Sequence, residues 1–424
     1  MRSIGLDVHR DFCEVAIFED GKVSRHPRVP ARRTALVAFA SSLRPTDQVG
    51  LEATGNALAI ARLIEPHVAR VVVANAAVTK TIGAARAKTD QLDARTLAQL
   101  LGTGFFPEVW LAEEPTRLAR RRMSRRAQLV RERTSLKNQV HAVLHRNLVE
   151  RPPASDLFGV KGLRWLDGVE LPPDERETVS SCLRQLQFLG EELCRLDQVI
   201  AQTALKDHSI QLLLTVPGVN LTTASAFMAA VGDIRRFENP SQLVSYLGLD
   251  PKVHQSGIAP ARHGSISKQG SAGARWALVE SAWAVARNPG PLHAFAERIR
   301  ARRGVNVATV AVARKLVVLF WHMLTKDEEY SFGRPSLTAE KNRRMEITAG
   351  APTTRGKRSG GRAGRGAQAA SADRAAGATP PKPKNEPRCA EQPVTLRARP
   401  PRRDYPSTTR VLPPEQPRAQ PAAP

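Results

Sequence analysis

Four short apolar runs near the start of the chain, each about one strand long and separated by helix-like stretches, set the strongest limit on the fold. They are Ile4 to Val8, Cys13 to Phe18, Gln48 to Glu52 and Val71 to Ala74. Alternation of such runs with helical segments is the pattern of an α/β domain. The second run leads into Glu19-Asp20-Gly21-Lys22, whose Asp-Gly step favours the tight turn of an antiparallel hairpin. Residues 57–65 and 90–101 carry helix formers with apolar side chains three and four apart. An α/β domain over residues 1–112 is therefore expected.

Three further segments follow. From Glu113 to Leu148 the chain is almost free of Gly and Pro and sets many arginines between Leu118, Met123, Leu129, Leu136, Val140 and Leu144. That pattern predicts a long basic helix. A second helical stretch from Asp174 to Asp207 has its own apolar stripe and suits antiparallel pairing with the first, so residues 113–207 are expected to form a helical coiled-coil arm. A third unit, residues 208–330, is expected to be mainly α-helical. Its opening, Val216-Pro217-Gly218-Val219 before an apolar-periodic helix, is similar to a helix-hairpin-helix turn, in which Gly218 would let backbone amides approach a phosphate. Pro-Gly is also a common turn. Residues 331–424 shift to Pro, Ala, Gly and Arg, with 15 Lys/Arg against 6 Asp/Glu from Glu346 to Pro424, and are expected to be a disordered basic tail.

The formal net charge of +24 points to a polyanionic partner, nucleic acid first. With no uninterrupted apolar run of about 20 residues and no charged-then-apolar stretch at the start, a cytoplasmic location is the expectation. The four cysteines have no Cys-x-x-Cys or Cys/His spacing suited to zinc or a disulfide framework. On the basic helix, Arg121, Arg122, Arg125 and Arg126 belong to a face with too few acids nearby to balance it. Phosphate tracking on DNA or RNA fits that face better than a merely solvated one.

Chemistry is concentrated in four acids. Asp7 interrupts an apolar strand, where a carboxylate is costly unless paired or bound to metal. Glu52 ends the Val49-Gly50-Leu51 run, and Asp90 and Asp93 open a helix three residues apart, roughly 5–6 Å between Cβ atoms. Acids at helix starts are also favoured by capping and the helix dipole alone. If all four converge, they suit divalent cations, with Mg²⁺ the expected ion for phosphoryl transfer.

In order, Gly5-Leu6-Asp7-Val8, Leu51-Glu52-Ala53-Thr54-Gly55 and Lys88-Thr89-Asp90-Gln91-Leu92-Asp93-Ala94 resemble the motifs of the DEDD transposases of bacterial insertion sequences, also described as bridge-RNA-guided serine recombinases. Gly248-Leu249-Asp250-Pro251 through Ser256-Gly257, then Gly264 to Gly270 and Arg275, are similar to that family's C-terminal transposase domain. The resemblance implies a RuvC-like, RNase H-type fold for the first domain, with Asp7, Glu52, Asp90 and Asp93 holding Mg²⁺. It further implies a nucleophilic serine at Ser256, with Ser265 and Ser267 as near alternatives, and a covalent phosphoserine intermediate. Arg262 and Lys268 suit contact with phosphate and equally suit a solvated basic loop, and His254 and His263 flank the serine, where either could serve as a base. Expected partners are double-stranded DNA at element ends and target, a noncoding guide RNA, and further copies of the chain as dimer or tetramer. The bacterial nucleoid is the expected location.

Two rival readings remain from sequence. One is a RuvC-type Holliday-junction endonuclease that hydrolyses DNA with metal-bound water and needs no serine. The other is a noncatalytic nucleic-acid-binding protein on the same scaffold.

Overall fold

The computed structural model describes residues 1–76, 78–79, 90–255 and 260–353, apart from the His263 side chain. Its first domain is built on five strands: β1 (Ser3–Val8), β2 (Phe12–Glu19), β3 (Lys22–Pro30), β4 (Gln48–Glu52) and β5 (Arg70–Ala74), in the order β3-β2-β1-β4-β5. The first three are antiparallel, whereas β4 runs parallel to β1 and β5 parallel to β4. Asp20 and Gly21 make the β2–β3 turn at φ 51° and 74°, as the Asp-Gly step requires.

The two faces of this sheet carry different loads. Ile4, Leu6 and Val8 alternate onto one face with Val49, Leu51 and Val73, and are covered by α1 (Arg33–Ser41) and α2 (Ala57–Ile64) through Leu36, Phe39, Ile60 and Ile64. The opposite face lies under α3 (Asp90–Gly102), which packs across β1, β2 and β4. Gly5 makes that approach possible: a Cβ there would sit 2.2 Å from the Ala94 carbonyl oxygen and 2.5 Å from the Ala98 amide nitrogen. Both neighbours are backbone, so a side chain could be admitted only by lifting the helix.

Two long helices follow the first domain. α4 (Glu114–Arg146) pairs with α6 (Pro173–Ala204), with the short α5 (Val160–Asp167) at one end. Their antiparallel register is fixed by Arg126 to Asp197, Cys182 to Gln139 and Arg146 to Glu175, around a core that includes Leu129, Leu136, Val140, Val179 and Leu189.

The third unit is a bundle of α7 (His208–Leu214), α8 (Leu221–Val231), α9 (Pro240–Tyr246), α10 (Ala272–Arg287), α11 (Pro291–Arg303) and α12 (Val305–Lys326). A hairpin of β6 (Pro251–His254) and β7 (Arg262–Ile266) projects between α9 and α10 in sequence. Phe227 and Phe320 meet edge to face at 5.0 Å in the bundle core. By length and composition α12 is apolar enough to cross a membrane, but its Val312, Leu316, Val317 and Phe320 are fully buried in the bundle. Its hydropathy is that of a core helix.

The boundary expected at residue 330 is corrected. A further helix, α13 (Pro335–Thr348), continues the unit and buries Met345. Lys341 donates to the carbonyls of Leu214 and Val216, both at 2.7 Å, and burial pushes its ammonium down to about 8. Those carbonyls lie at and just beyond the end of α7, where helix C=O groups lack intrahelical partners. The expected disorder of the remaining tail falls outside the described residues from 354 onward.

Candidate active site

Strand periodicity delivers the first two acids to one place. Gly5 and Asp7 share the face of β1 that lies under α3, and Gly50 and Glu52 share the corresponding face of β4 beneath Leu101 and Phe106. The parallel register pairs Leu6 with Leu51, so Asp7 and Glu52 stand side by side one residue later, at the carboxyl ends of their strands. Asp7 is only 7 % exposed and Glu52 is half-buried. Asp90 and Asp93 occupy the first turn of α3, which Gly5 has drawn against β1.

A histidine joins them. His9 Nε2 lies 3.0 Å from Asp7 Oδ2 and 3.5 Å from Asp90 Oδ2, and ligating atoms of Asp7, His9 and Asp90 all fall within 4.8 Å of one another. Burial pushes the Asp7 carboxyl above its ordinary range; the charges of Asp93 and Asp90 push the same way, and His9 opposes them. Such a cluster is under electrostatic stress that a bound cation relieves. Sequence reasoning missed His9. The signal was present in the same period of two that links Gly5 to Asp7, continued one step beyond the strand.

Cys13, also near Asp7, is a buried thiol pushed up to about 11, chiefly by burial, and is unsuited to act as a nucleophile at neutral pH.

Ser256 lies outside the described residues. Of the hairpin around it, His254 pairs across the strands with Arg262, whose side chain is exposed. Lys268 adopts a positive φ of 58° and its amide donates to the Gly248 carbonyl at 3.1 Å, leaving the ammonium exposed. Ser267 donates to Asp250 Oδ1 at 2.5 Å and Ser245 to Oδ2 at 3.0 Å, so Asp250 ties both ends of this hairpin to α9. Ser265 is exposed on β7. Among the described residues, neither Arg262 nor Lys268 forms an ion pair with the four acids.

The remaining basic candidates divide. Arg126 is bound to Asp197 by two hydrogen bonds at 2.6 and 3.2 Å, Arg122 to Thr203 and Arg121 to Glu114. Arg125 is exposed and has no ion pair among the described residues. Arg120 donates to the Ala229 and Ala230 carbonyls and fastens the arm to the bundle. Gly218, at φ 89°, lies where a Cβ would meet the Val285 amide at 2.7 Å, so its turn is pressed against α10.

Two family models match the chain. One, described as a transposase with an IS110-type DEDD domain, covers residues 4–147; the other, described as transposase IS116/IS110/IS902 family, covers residues 210–297. A probable family 20 transposase of Pseudomonas aeruginosa is 29% identical over 343 residues, 78% of this chain and 98% of that one. The transposase for insertion sequence element IS1111A of Coxiella burnetii is 26% identical over 351 residues, 78% of this chain and 92% of its own. A pilin gene-inverting protein of Moraxella bovis is 27% identical over 261 residues, 60% and 71% of the two chains.

Proposed function

From the premise that this chain belongs to the IS116/IS110/IS902 family of transposases, with a DEDD-type first domain, we propose that it cuts and rejoins DNA at a composite site made from that domain and the Ser256 hairpin. The observation that carries this reading is the meeting of Asp7, His9 and Asp90 at the carboxyl end of β1, beside Glu52 and within the electrostatic reach of Asp93. The mixed sheet, with acids at the ends of two parallel neighbours, supports a RuvC-like assignment for the first domain.

The donor set fits a divalent cation. Asp7, Glu52, Asp90 and Asp93 would hold it through oxygen atoms, which is the chemistry Mg²⁺ prefers. His9, a nitrogen donor, is better suited to orienting the Asp7 carboxylate, to which it is hydrogen-bonded. When bound, the ion supplies charge neutralisation at the scissile phosphate and its leaving oxygen.

The chain's own chemistry then falls to Ser256. Its Oγ attacks the DNA phosphorus, the P–O3′ bond breaks and the released 3′ oxygen takes up a proton, while the serine proton passes to a base. The phosphodiester is thereby exchanged for a phosphoserine ester of similar energy, and a DNA 3′ hydroxyl attacks that ester to rejoin the strand. No external energy source is needed for either half. Resolution onto the original partner restores the starting strand, whereas resolution onto a new one gives inversion, the event named for the Moraxella relative, or excision or integration. The charge of +24 suits DNA together with a noncoding guide RNA, and a dimer or tetramer would bring hairpin and acids together from different copies. A cytoplasmic, nucleoid-associated location follows from that substrate.

Strand cleavage of a supercoiled plasmid carrying the element ends is expected to require Mg²⁺ or Mn²⁺ and to stop on chelation. Cleavage that continues unchanged in excess chelator would overturn the assignment of the acids.

A further inference from the structure

We propose that Arg25 and Arg28, paired with the buried Glu14, and Arg95, which lines the adjoining cavity, form a subsite for a DNA backbone phosphate flanking the one that is cut. The inference rests on the reading above that the neighbouring acids process DNA.

Glu14 stands directly opposite Asp7 across β1 and β2, on the α3 side of the sheet. It is 1 % exposed, an expensive setting for a carboxylate. Two arginines from β3 answer it: Arg28 Nε at 2.6 Å and Arg25 Nη2 at 3.3 Å. Oε1 still has no hydrogen-bond partner, because the Arg25 contact is an ion pair without hydrogen-bond geometry. Both guanidinium side chains remain more than half exposed, at 61% and 51%. The carboxylate therefore fixes them from beneath and leaves their outer donors open to solvent.

Contacts tie this pair to the acid cluster on both sides. With the Gln91 amide oriented to satisfy its neighbours, its oxygen accepts from Arg25 Nη2 at 2.9 Å and Nη1 at 3.2 Å, and Gln91 sits between Asp90 and Asp93 on α3. Arg28 lies over the Phe12 ring at 4.4 Å, and Phe12 stacks on His9 at 4.8 Å. Arg95, exposed one turn further along α3, lines the same cavity as Glu14, Ser24, Arg25 and Gln91.

Charge and spacing select the ligand. Two guanidinium groups pair with one carboxylate and a third, Arg95, lines the adjoining cavity, which leaves an excess of two positive charges beside an acid cluster, and arginine forks match phosphate oxygens. β3 lies two strands from β1, about 10 Å at roughly 4.8 Å per strand. One phosphate cannot bridge that distance. A phosphate one or two nucleotides along the same strand can, because the backbone winds around the axis and its phosphates stand further apart than the rise of about 3.4 Å per nucleotide.

The test uses the full-length protein and a duplex oligonucleotide spanning the mapped cut, with Ca²⁺ in place of Mg²⁺. Arg25→Ala with Arg28→Ala is expected to weaken binding on the order of tenfold and to lower the salt slope by about one per arginine removed. Replacing the flanking phosphate by a neutral methylphosphonate should weaken the wild-type complex similarly and the double variant no further. Arg95→Ala, which leaves Glu14 paired, and Glu14→Gln combined with the two alanines, which removes the stranded carboxylate, guard against misfolding and should show the same coupling. The subsite is overturned if the methylphosphonate penalty is equal in all proteins, if the exposed control Arg300→Ala weakens binding as much, or if only an RNA oligonucleotide shows the dependence. The parent reading fails separately, through undiminished cleavage by Asp7→Asn whatever the arginines do.

Discussion

Asp7→Asn is expected to lower DNA strand cleavage on the order of 10³-fold, since a ligand supporting several kcal/mol of transition-state charge stabilisation is removed. The same variant is expected to melt at a higher temperature than the wild type in metal-free buffer at pH 7. Burial raises the Asp7 carboxyl above its ordinary value, with Asp93 and Asp90 adding to the effect and His9 opposing it. The folded chain therefore binds that proton more tightly than the unfolded chain. The resulting stability is present at low pH and is lost as pH rises through the raised value, so at pH 7 the ionised carboxylate is a net cost that asparagine removes. A bound divalent ion reverses the order, because it stabilises only the form that holds it. Single-turnover cleavage and melting curves with and without Mn²⁺ check both parts. A lower melting temperature in chelator would mean that Asp7 is a structural partner of His9 and not a strained ligand.

Ser256→Ala is expected to abolish strand transfer and the detergent-resistant protein–DNA adduct that precedes it. The reason is chemical: without a hydroxyl at the attacking position there is no phosphoserine, and hydrolysis cannot conserve the phosphodiester for rejoining. Ser267→Ala should keep the adduct, since the Ser267 hydroxyl is already engaged with Asp250. Gel analysis of the denatured reaction, followed by peptide mapping of the modified residue, reads the result. Cleavage by the Ser256→Ala protein at the wild-type rate, with no adduct and no rejoining, would point to water-mediated hydrolysis, as in a junction endonuclease, and rejoining at the wild-type rate would place the nucleophile on another residue.

Much of the first domain was legible because its signals are local. A carboxylate inside an apolar strand and an Asp-Gly step each dictate their surroundings within a few residues, and Asp7 and Asp20 occupy the places their neighbours imply. Convergence was less legible, because it depends on Gly5 admitting a helix that begins 85 residues later. His9 follows the same strand face, but a histidine beside a charged turn reads equally well as surface. The arm shows the opposite limit. Sequence counts the charge on Arg126 but not its partner, since Asp197 comes from a helix 71 residues away. α13 was hidden by composition. Its attachment rests on single groups, the buried Met345 and the hydrogen-bonded Lys341, and not on an apolar stripe.

Crystals of the full-length protein grown or soaked with Mn²⁺, with anomalous scattering measured at the manganese edge, test the central claim most directly. The account predicts a peak at the carboxyl end of β1, within coordination distance of Asp7 and Asp90, that disappears in Asp7→Asn. Manganese bound elsewhere, with none between these acids, would contradict it.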